Sequence, residues 1–281
     1  MRNAMRIMIA GPMLALLAAC AAEPHHETAT PEGVEADMAN GALASPVPPK
    51  PPAPAEGVRI ERKDGALEFS YSWPAAAHDV APLDAWLRSQ AETYYRQAHD
   101  EAEEGRVAAG KGDYPFHSYS YQQSWQSVAD TPSVLVMQGE GYSFTGGAHG
   151  MPFTVSLIWD RGAQRRLATG DILDVPRLAG VTRDAFCKEL DRQREEKRGE
   201  PVDPDATGGI PEFNRCVDMT RQQVLPVARG GRTLDAVRVV IGPYEAGPYV
   251  EGSYQIDLPM TPAMMDAVKP AYRGWFGTGT P

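Results

Sequence analysis

Residues 142–150 read Tyr142-Ser143-Phe144-Thr145-Gly146-Gly147-Ala148-His149-Gly150. Three of the last five residues are glycine, which permits positive φ angles and a close approach of the backbone to neighbouring atoms. Residues 134–144 before it predict a strand, and Phe153, Val155, Leu157 and Trp159 after it alternate with other residues, as in a half-buried strand. We therefore predict a sharp connection between two strands of an antiparallel meander.

Two interpretations of the role of His149 in this connection stay open. In the first, the imidazole satisfies exposed backbone groups of a purely structural turn. In the second, it forms a ligand or metal site together with the turn residues Thr145, Gly146, Gly147 and Gly150. The glycines do not make a phosphate-binding loop, because no lysine follows them and no helix is predicted behind them. We assign no metal and no cofactor to the chain.

Upstream, residues 67–73 alternate in polarity and predict another strand, and residues 119–125 do the same. Between them, a helix is predicted to follow Asp79, with Pro82 in its first turn, and to weaken or end at Gly105 and Gly110. Apolar residues at helical spacing mark its expected core face: Leu83, Trp86, Leu87, Tyr94 and Ala98.

Downstream, Val181, Ala185 and Leu190 predict the core face of a second long helix that ends near Gly199. Its charged residues 188–198 are interpreted as a solvated face. Residues 237–241 and 250–258 alternate as strands, and Thr261 followed by Pro262 is typical of a helix start. The predicted fold class is α+β, with antiparallel sheets, packed helices and two closely associated subdomains.

The N-terminus resembles a bacterial lipoprotein signal. Two arginines precede an apolar run in residues 7–19, which is shorter than the roughly 20 residues of a membrane-spanning helix. The run ends in Leu17-Ala18-Ala19-Cys20, and we expect cleavage before Cys20 and lipid on its thiol. An ordinary signal peptide is the alternative. Ala21 after the cysteine favours the outer membrane, facing the periplasm.

The cysteines fit this compartment. The chain has three, and lipid on Cys20 would leave Cys187 and Cys216 as an even pair. Because the periplasm is oxidising, we predict a disulfide between these two, which would contribute about 3 kcal/mol by chain-entropy arguments.

Residues 20–56 are rich in Ala, Glu and Pro and are predicted to be a disordered tether, since this composition cannot bury a core. The formal net charge of the 281-residue chain is −10 at pH 7, which excludes nucleic acid as an expected partner and favours a basic one.

The turn sequence is similar to that of the extracytoplasmic domain family, of unknown function, found in the anti-sigma factor RsiV and in the non-catalytic N-terminal part of the deacetylase PdaC. The family typically has Tyr-x-Tyr-Thr-Gly-Gly-Ala-His-Gly, and Phe144 replaces the second tyrosine. A second family segment also matches, at residues Pro243, Tyr244, Glu245, Tyr249 and Gly252.

The resemblance implies an N-terminal PdaC-like α+β subdomain over residues 57–145 and a C-terminal RsiV-like one over residues 146–281. The RsiV domain binds lysozyme, so a non-catalytic binding module for lysozyme-type muramidases or peptidoglycan is expected. The sigma-binding segment and membrane span of RsiV and the catalytic domain of PdaC have no counterpart in this sequence. Neither sigma-factor regulation nor deacetylation is therefore expected from the resemblance.

Two other functions stay open. An enzyme of peptidoglycan or glycan metabolism would use a site near His149, with Glu140, Asp160 and Glu245 as candidate acids or with Ser143, His149 and Asp160 as a triad. No nucleophile-elbow motif supports the triad, so no catalytic residue is assigned. A structural or assembly lipoprotein is the third possibility.

Overall fold

The computed structural model describes residues 57–205 and 209–279. The predicted signal peptide, Cys20 and the predicted tether lie outside these residues. Within them, no helix combines the length and the apolar character needed to cross a membrane.

Six strands form the first sheet, in the order of the chain: β1 (Gly57–Lys63), β2 (Leu67–Pro74), β3 (Tyr119–Asp130), β4 (Val134–Phe144), β5 (Met151–Asp160) and β6 (Arg165–Leu167). The predicted meander is confirmed for β3, β4 and β5, which pair antiparallel. One neighbouring pair departs from the predicted antiparallel arrangement, because β2 and β3 pair in parallel. Parallel neighbours need a crossover connection, and a long helix provides it here.

This crossover consists of α1 (Ala75–His78) and α2 (Ala81–Gly112), and α2 covers one face of the first sheet. Leu83 and Leu87 are fully buried against an aromatic core, as predicted, and the helix continues past Gly105 and Gly110. A side chain at Gly105 would collide with the Tyr119 hydroxyl at 2.3 Å, so this glycine serves close packing of helix on strand. The aromatic core comprises Phe69, Tyr71, Trp73, Trp125 and Trp159.

The second sheet has three antiparallel strands, β7 (Gln223–Val227), β8 (Ala236–Ile241) and β9 (Tyr254–Pro259). Short helices α3 (Thr169–Ile172) and α5 (Pro262–Met265) and the long α4 (Val175–Arg198) pack with it. The Thr261 hydroxyl accepts a hydrogen bond from the Met264 amide, which is the predicted helix cap.

One apolar core joins the two sheets. Val134, Val136 and Ile158 from the first sheet pack in the same cluster as β7, β8, β9 and α4. The α+β class is therefore confirmed. The first sheet continues through β6, so the predicted subdomain limit between residues 145 and 146 falls inside it, between β4 and β5.

The core face of α4 differs from the predicted one. Val181 and Ala185 are exposed, and of the predicted stripe only Leu190 is buried. The true buried face follows a four-residue spacing through Leu178, Thr182, Phe186, Leu190 and Arg194. It contains a threonine and an arginine, which a search for apolar spacing passes over.

The predicted disulfide is present, because Cys187 of α4 is bonded to Cys216. It fastens residues 210–218, which include a short 3₁₀ turn at Pro211–Phe213, to the middle of α4. The helix ends at Gly199, as predicted, with φ at 74°.

The charged stretch of α4 is only partly the solvated face that we predicted. Arg194 has no exposed surface. Its guanidinium donates to the carbonyl oxygens of Ala246 at 3.0 Å and Arg215 at 2.9 Å, and to the Asp191 carboxylate at 2.9 Å. Burial lowers its pKa, although an arginine stays charged at physiological pH. Arg192, in contrast, is half exposed and pairs with glutamates of its own helix.

We predict that Arg194→Met destabilises the fold by about 3 kcal/mol, because it leaves buried carbonyl oxygens without donors while keeping the side-chain volume similar. Urea unfolding followed by circular dichroism measures this loss. The matched control is Arg192→Met, two residues away on the solvent side, which should change the unfolding midpoint little. Equal midpoints for the two variants would contradict the structural role of Arg194.

Candidate functional site

The connection between β4 and β5 has the backbone geometry that its glycines predict. Gly146 and Gly147 have φ angles of 91° and 86°, in the left-handed region that side chains disfavour. The Gly150 amide donates to the Tyr142 hydroxyl at 3.1 Å, and a Cβ at Gly150 would lie 2.5 Å from the tyrosine ring. The end of the glycine-rich turn therefore packs tightly against Tyr142, which lies in β4 just before the turn.

The second family segment forms the connection between β8 and β9. Pro243 is buried, whereas Tyr244 is 49% exposed and has a φ of 66°. A bulky residue with positive φ is uncommon, and it persists only where the surrounding structure imposes it. A 3₁₀ turn at Tyr249–Glu251 follows, and Gly252, with a φ of 65°, leads into β9.

These two connections meet. The His149 and Tyr249 rings stack with centroids 4.2 Å apart, and the Tyr249 hydroxyl donates to the Gly150 carbonyl at 2.8 Å. The Tyr244 ring lies 5.7 Å from that of Tyr249. Residues that are about a hundred positions apart in the chain thus form one surface feature, which we call the aromatic cluster: Tyr142, His149, Tyr244 and Tyr249.

Hydrogen bonds and burial identify the donors of two members of the aromatic cluster. His149 Nδ1 lies 3.1 Å from the Gly150 carbonyl oxygen, which can only accept, so Nδ1 is the donor in this contact. Burial raises the pKa of Tyr249, and the neighbouring Tyr142 and Tyr244 raise it further. The Tyr249 hydroxyl therefore remains a donor at neutral pH.

Cationic residues of α4 hold the second connection in place. Arg198 donates to the Glu251 carboxylate at 2.9 Å, and the Tyr254 hydroxyl donates to the same carboxylate. Lys197 donates to the carbonyl oxygens of Glu251 and Ser253. Burial tends to raise the pKa of Glu251, but the hydrogen bonds from Arg198 and Tyr254 outweigh it, and the net shift is downward.

Sequence reasoning missed this support, because Arg194, Lys197 and Arg198 belong to the stretch that we interpreted as solvated. One signal was available. Arg194 continues the four-residue spacing of Phe186 and Leu190, so it lies on the buried face of α4 despite its charge.

Two open clefts lie on the face of the first sheet opposite α2, and they share Gln122 and Tyr142 as lining residues. One has a volume of about 580 Å³ and is bordered by His149 and by Glu68 of β2. The other, of about 360 Å³, extends from Glu140 to the second sheet, where Val240 and Gln255 line it. We call the two together the groove. His149 therefore faces the groove rather than the core, while Thr145 lines a separate small cleft beside α2.

The candidate catalytic residues do not come together. Asp160 lies at the end of β5 remote from His149, and its carboxylate accepts the Ala163 amide at 2.8 Å, so the triad with Ser143 is excluded by geometry. Glu140 lines the groove, whereas Glu245 lies exposed in the second connection. Within residues 57–205 and 209–279, no group of three His, Cys, Asp or Glu side chains is placed to hold a metal ion.

Solved structures include two similar chains. A DUF3298 family protein from Pseudomonas aeruginosa PAO1 is 20% identical, with a TM-score of 0.45, over 80% of this chain and 98% of that one. A DUF3298 family member from Bacteroides fragilis NCTC 9343 is 16% identical, with a TM-score of 0.44, over 78% of this chain and 95% of that one. No curated protein matches the chain.

The family described as deacetylase PdaC matches residues 60–152. This segment begins in β1 and ends just after the glycine-rich turn, so it contains α2 and the first four strands. The turn with His149 and Gly150 is thus part of the matched region, whereas Tyr244 and Tyr249 lie outside it. Residues 60–152 of this chain are thus similar to the PdaC family.

Proposed function

We propose that the chain is a non-catalytic binding module of the cell envelope, and that the aromatic cluster is the centre of its binding surface. The observation that carries the proposal is the contact of His149 with Tyr249, which joins two distant connections into one surface feature. Lysozyme-type muramidases and peptidoglycan are the partners that we propose for it.

The exposure of the aromatic cluster supports a binding role. Tyr244 is half exposed, and Val250, next to Tyr249, is 90% exposed. Tyrosine is enriched at the centres of binding surfaces because it offers an apolar ring and a polar end at little cost in conformational entropy. The positive φ of Tyr244 holds its side chain outward at an energetic cost, which supports a role in contact with a partner.

Charge supports a basic partner. The net charge of −10 favours association with cationic proteins, and many lysozymes are basic. Glu68 and Glu140 line the groove beside the aromatic cluster. Their carboxylates would attract a basic protein toward this face.

The proposal includes a membrane anchor at Cys20. Lipid on this thiol would attach the module to a membrane, with the outer membrane facing the periplasm as the proposed location. The Pro-rich residues up to position 56 would then act as an extended spacer, of about 3.1 Å per residue, between the membrane and β1.

We predict that Tyr244→Asn weakens binding to lysozyme or to purified peptidoglycan at least tenfold, or about 1.4 kcal/mol. Asparagine accepts a positive φ, so the backbone of the connection should be preserved while the ring is lost. Calorimetric titration measures lysozyme binding, and cosedimentation with sacculi measures binding to peptidoglycan.

The matched control is Tyr114→Asn, since Tyr114 is 56% exposed and lines neither cleft of the groove. This variant should bind as the unmodified chain does. If the unmodified chain binds neither lysozyme nor sacculi, the proposed partners are wrong. Equal losses in both variants would show that the aromatic cluster is not the binding surface.

Lipid attachment has its own test. Cells that express the full chain and are grown with labelled palmitate should incorporate the label into the protein, and Cys20→Ser should abolish it. Cys187→Ser together with Cys216→Ser serves as the control, because these cysteines are joined to each other and should not carry lipid. Label that persists in Cys20→Ser would contradict the anchor.

A further inference from the structure

The groove is formed by side chains from the middle of a sheet. Its floor belongs to β3, β4 and β5. The backbone groups of β3 and β4 are paired with neighbouring strands on both sides, whereas β5 pairs with β6 only at residues 158–160. An extended peptide that binds by adding a strand needs a free sheet edge, which β3 and β4 do not offer. Recognition on these two strands must therefore rely on side chains.

The floor side chains are mostly neutral and able to form hydrogen bonds. Ser120 and Gln122 from β3 and Thr154 from β5 lie on the groove side of the sheet. Within the described part of the chain, the side chains of Gln122 and Thr154 make no hydrogen bond, although both are partly buried. Their donors and acceptors are available to a ligand.

A buried amide fixes the orientation of two other polar groups at the groove. Gln138 is 4% exposed, and its Nε2 donates to Glu140 Oε1 at 3.2 Å and to Gln255 Oε1 at 3.1 Å. Its Oε1 accepts from Arg238, which in turn pairs with Asp257 through two hydrogen bonds of 2.7 Å. Because these partners are held, Glu140 and Gln255 are oriented before any ligand arrives, which lowers the entropic cost of binding.

Apolar surface lies beside these polar groups. Tyr142 lines both clefts of the groove. Pro152, Phe153 and Val240 line the cleft that also contains Gln122 and Glu140. A ligand that matches this groove combines hydroxyl and amide groups with flat C–H faces and small apolar substituents. The distance across the four strands from β2 to β5 is about 14 Å, so the groove has room for more than one sugar unit.

We propose that the groove binds a glycan of uncharged, N-acetylated sugars, with sugar hydroxyls on Gln122, Thr154 and Glu140. A sugar ring packs on Tyr142, and an acetamido methyl group lies against Pro152 and Val240. The inference rests on the proposed binding function and deepens it, because it assigns glycan to the groove that adjoins the aromatic cluster and shares Tyr142 with it.

The test is a calorimetric titration of the full chain with the β-1,4-linked tetramer of N-acetylglucosamine. We expect saturable binding that Gln122→Ala and Thr154→Ala each weaken at least fivefold. Neither side chain supports the fold through a described hydrogen bond, so both variants should unfold at the same temperature as the unmodified chain. Gln97→Ala is the matched control, since Gln97 is exposed on α2, on the other side of the sheet, and should leave binding unchanged.

Cellotetraose, which has the same linkage but lacks acetamido groups, should bind at least tenfold more weakly than the acetylated tetramer. Equal affinities would contradict the acetamido contact. No binding of the tetramer, in a chain that still binds lysozyme or sacculi, would overturn the glycan assignment and leave the proposed function intact. Loss of lysozyme binding in Gln122→Ala without any glycan binding would make the groove a protein-binding site, and that result would also overturn the inference.

Discussion

The buried guanidinium of Arg194 connects the parts of the structure on which the site depends. It donates to the Ala246 carbonyl in the second connection and to the Arg215 carbonyl next to the disulfide. A charge with no exposed surface is stable only when its donors are satisfied, so the chain around residues 212–216 and 246 has little freedom to move away from α4. The disulfide at Cys216 adds a covalent restraint to the same segment.

This restraint reaches the aromatic cluster through the second connection. Arg194 and Arg198 hold Ala246 and Glu251, and between these two residues lies Tyr249, which stacks on His149. The aromatic cluster is thus held by Arg194 and Arg198 of α4, through the second connection, and by the glycine-rich turn that carries His149. Such support permits Tyr244 to stay in an unfavourable backbone conformation, because the residues on either side are fixed.

Local patterns predicted the elements better than their connections. Alternation identified β2 and the β3–β5 meander, and the glycine and proline signals located the end of α4 and the start of α5. The parallel pairing of β2 and β3 depends on where α2 places the chain, which no local pattern encodes. Val181 and Ala185 misled the prediction of the α4 core face, because the buried face includes Thr182 and Arg194, whose polar groups are satisfied only by the tertiary structure.

The candidate site was predictable in its parts and not in its assembly. The sequence identified both segments by resemblance and left His149 open between a structural and a binding role, and the structure gives the ring a contact inside the turn and a position at the groove. Nδ1 is used inside the turn, while the ring stacks on Tyr249 and faces the groove. A histidine that served only the turn would need neither the stacking partner nor the open cleft. The combination therefore favours a surface whose shape is set by the fold and whose remaining hydrogen-bonding capacity lies along the groove.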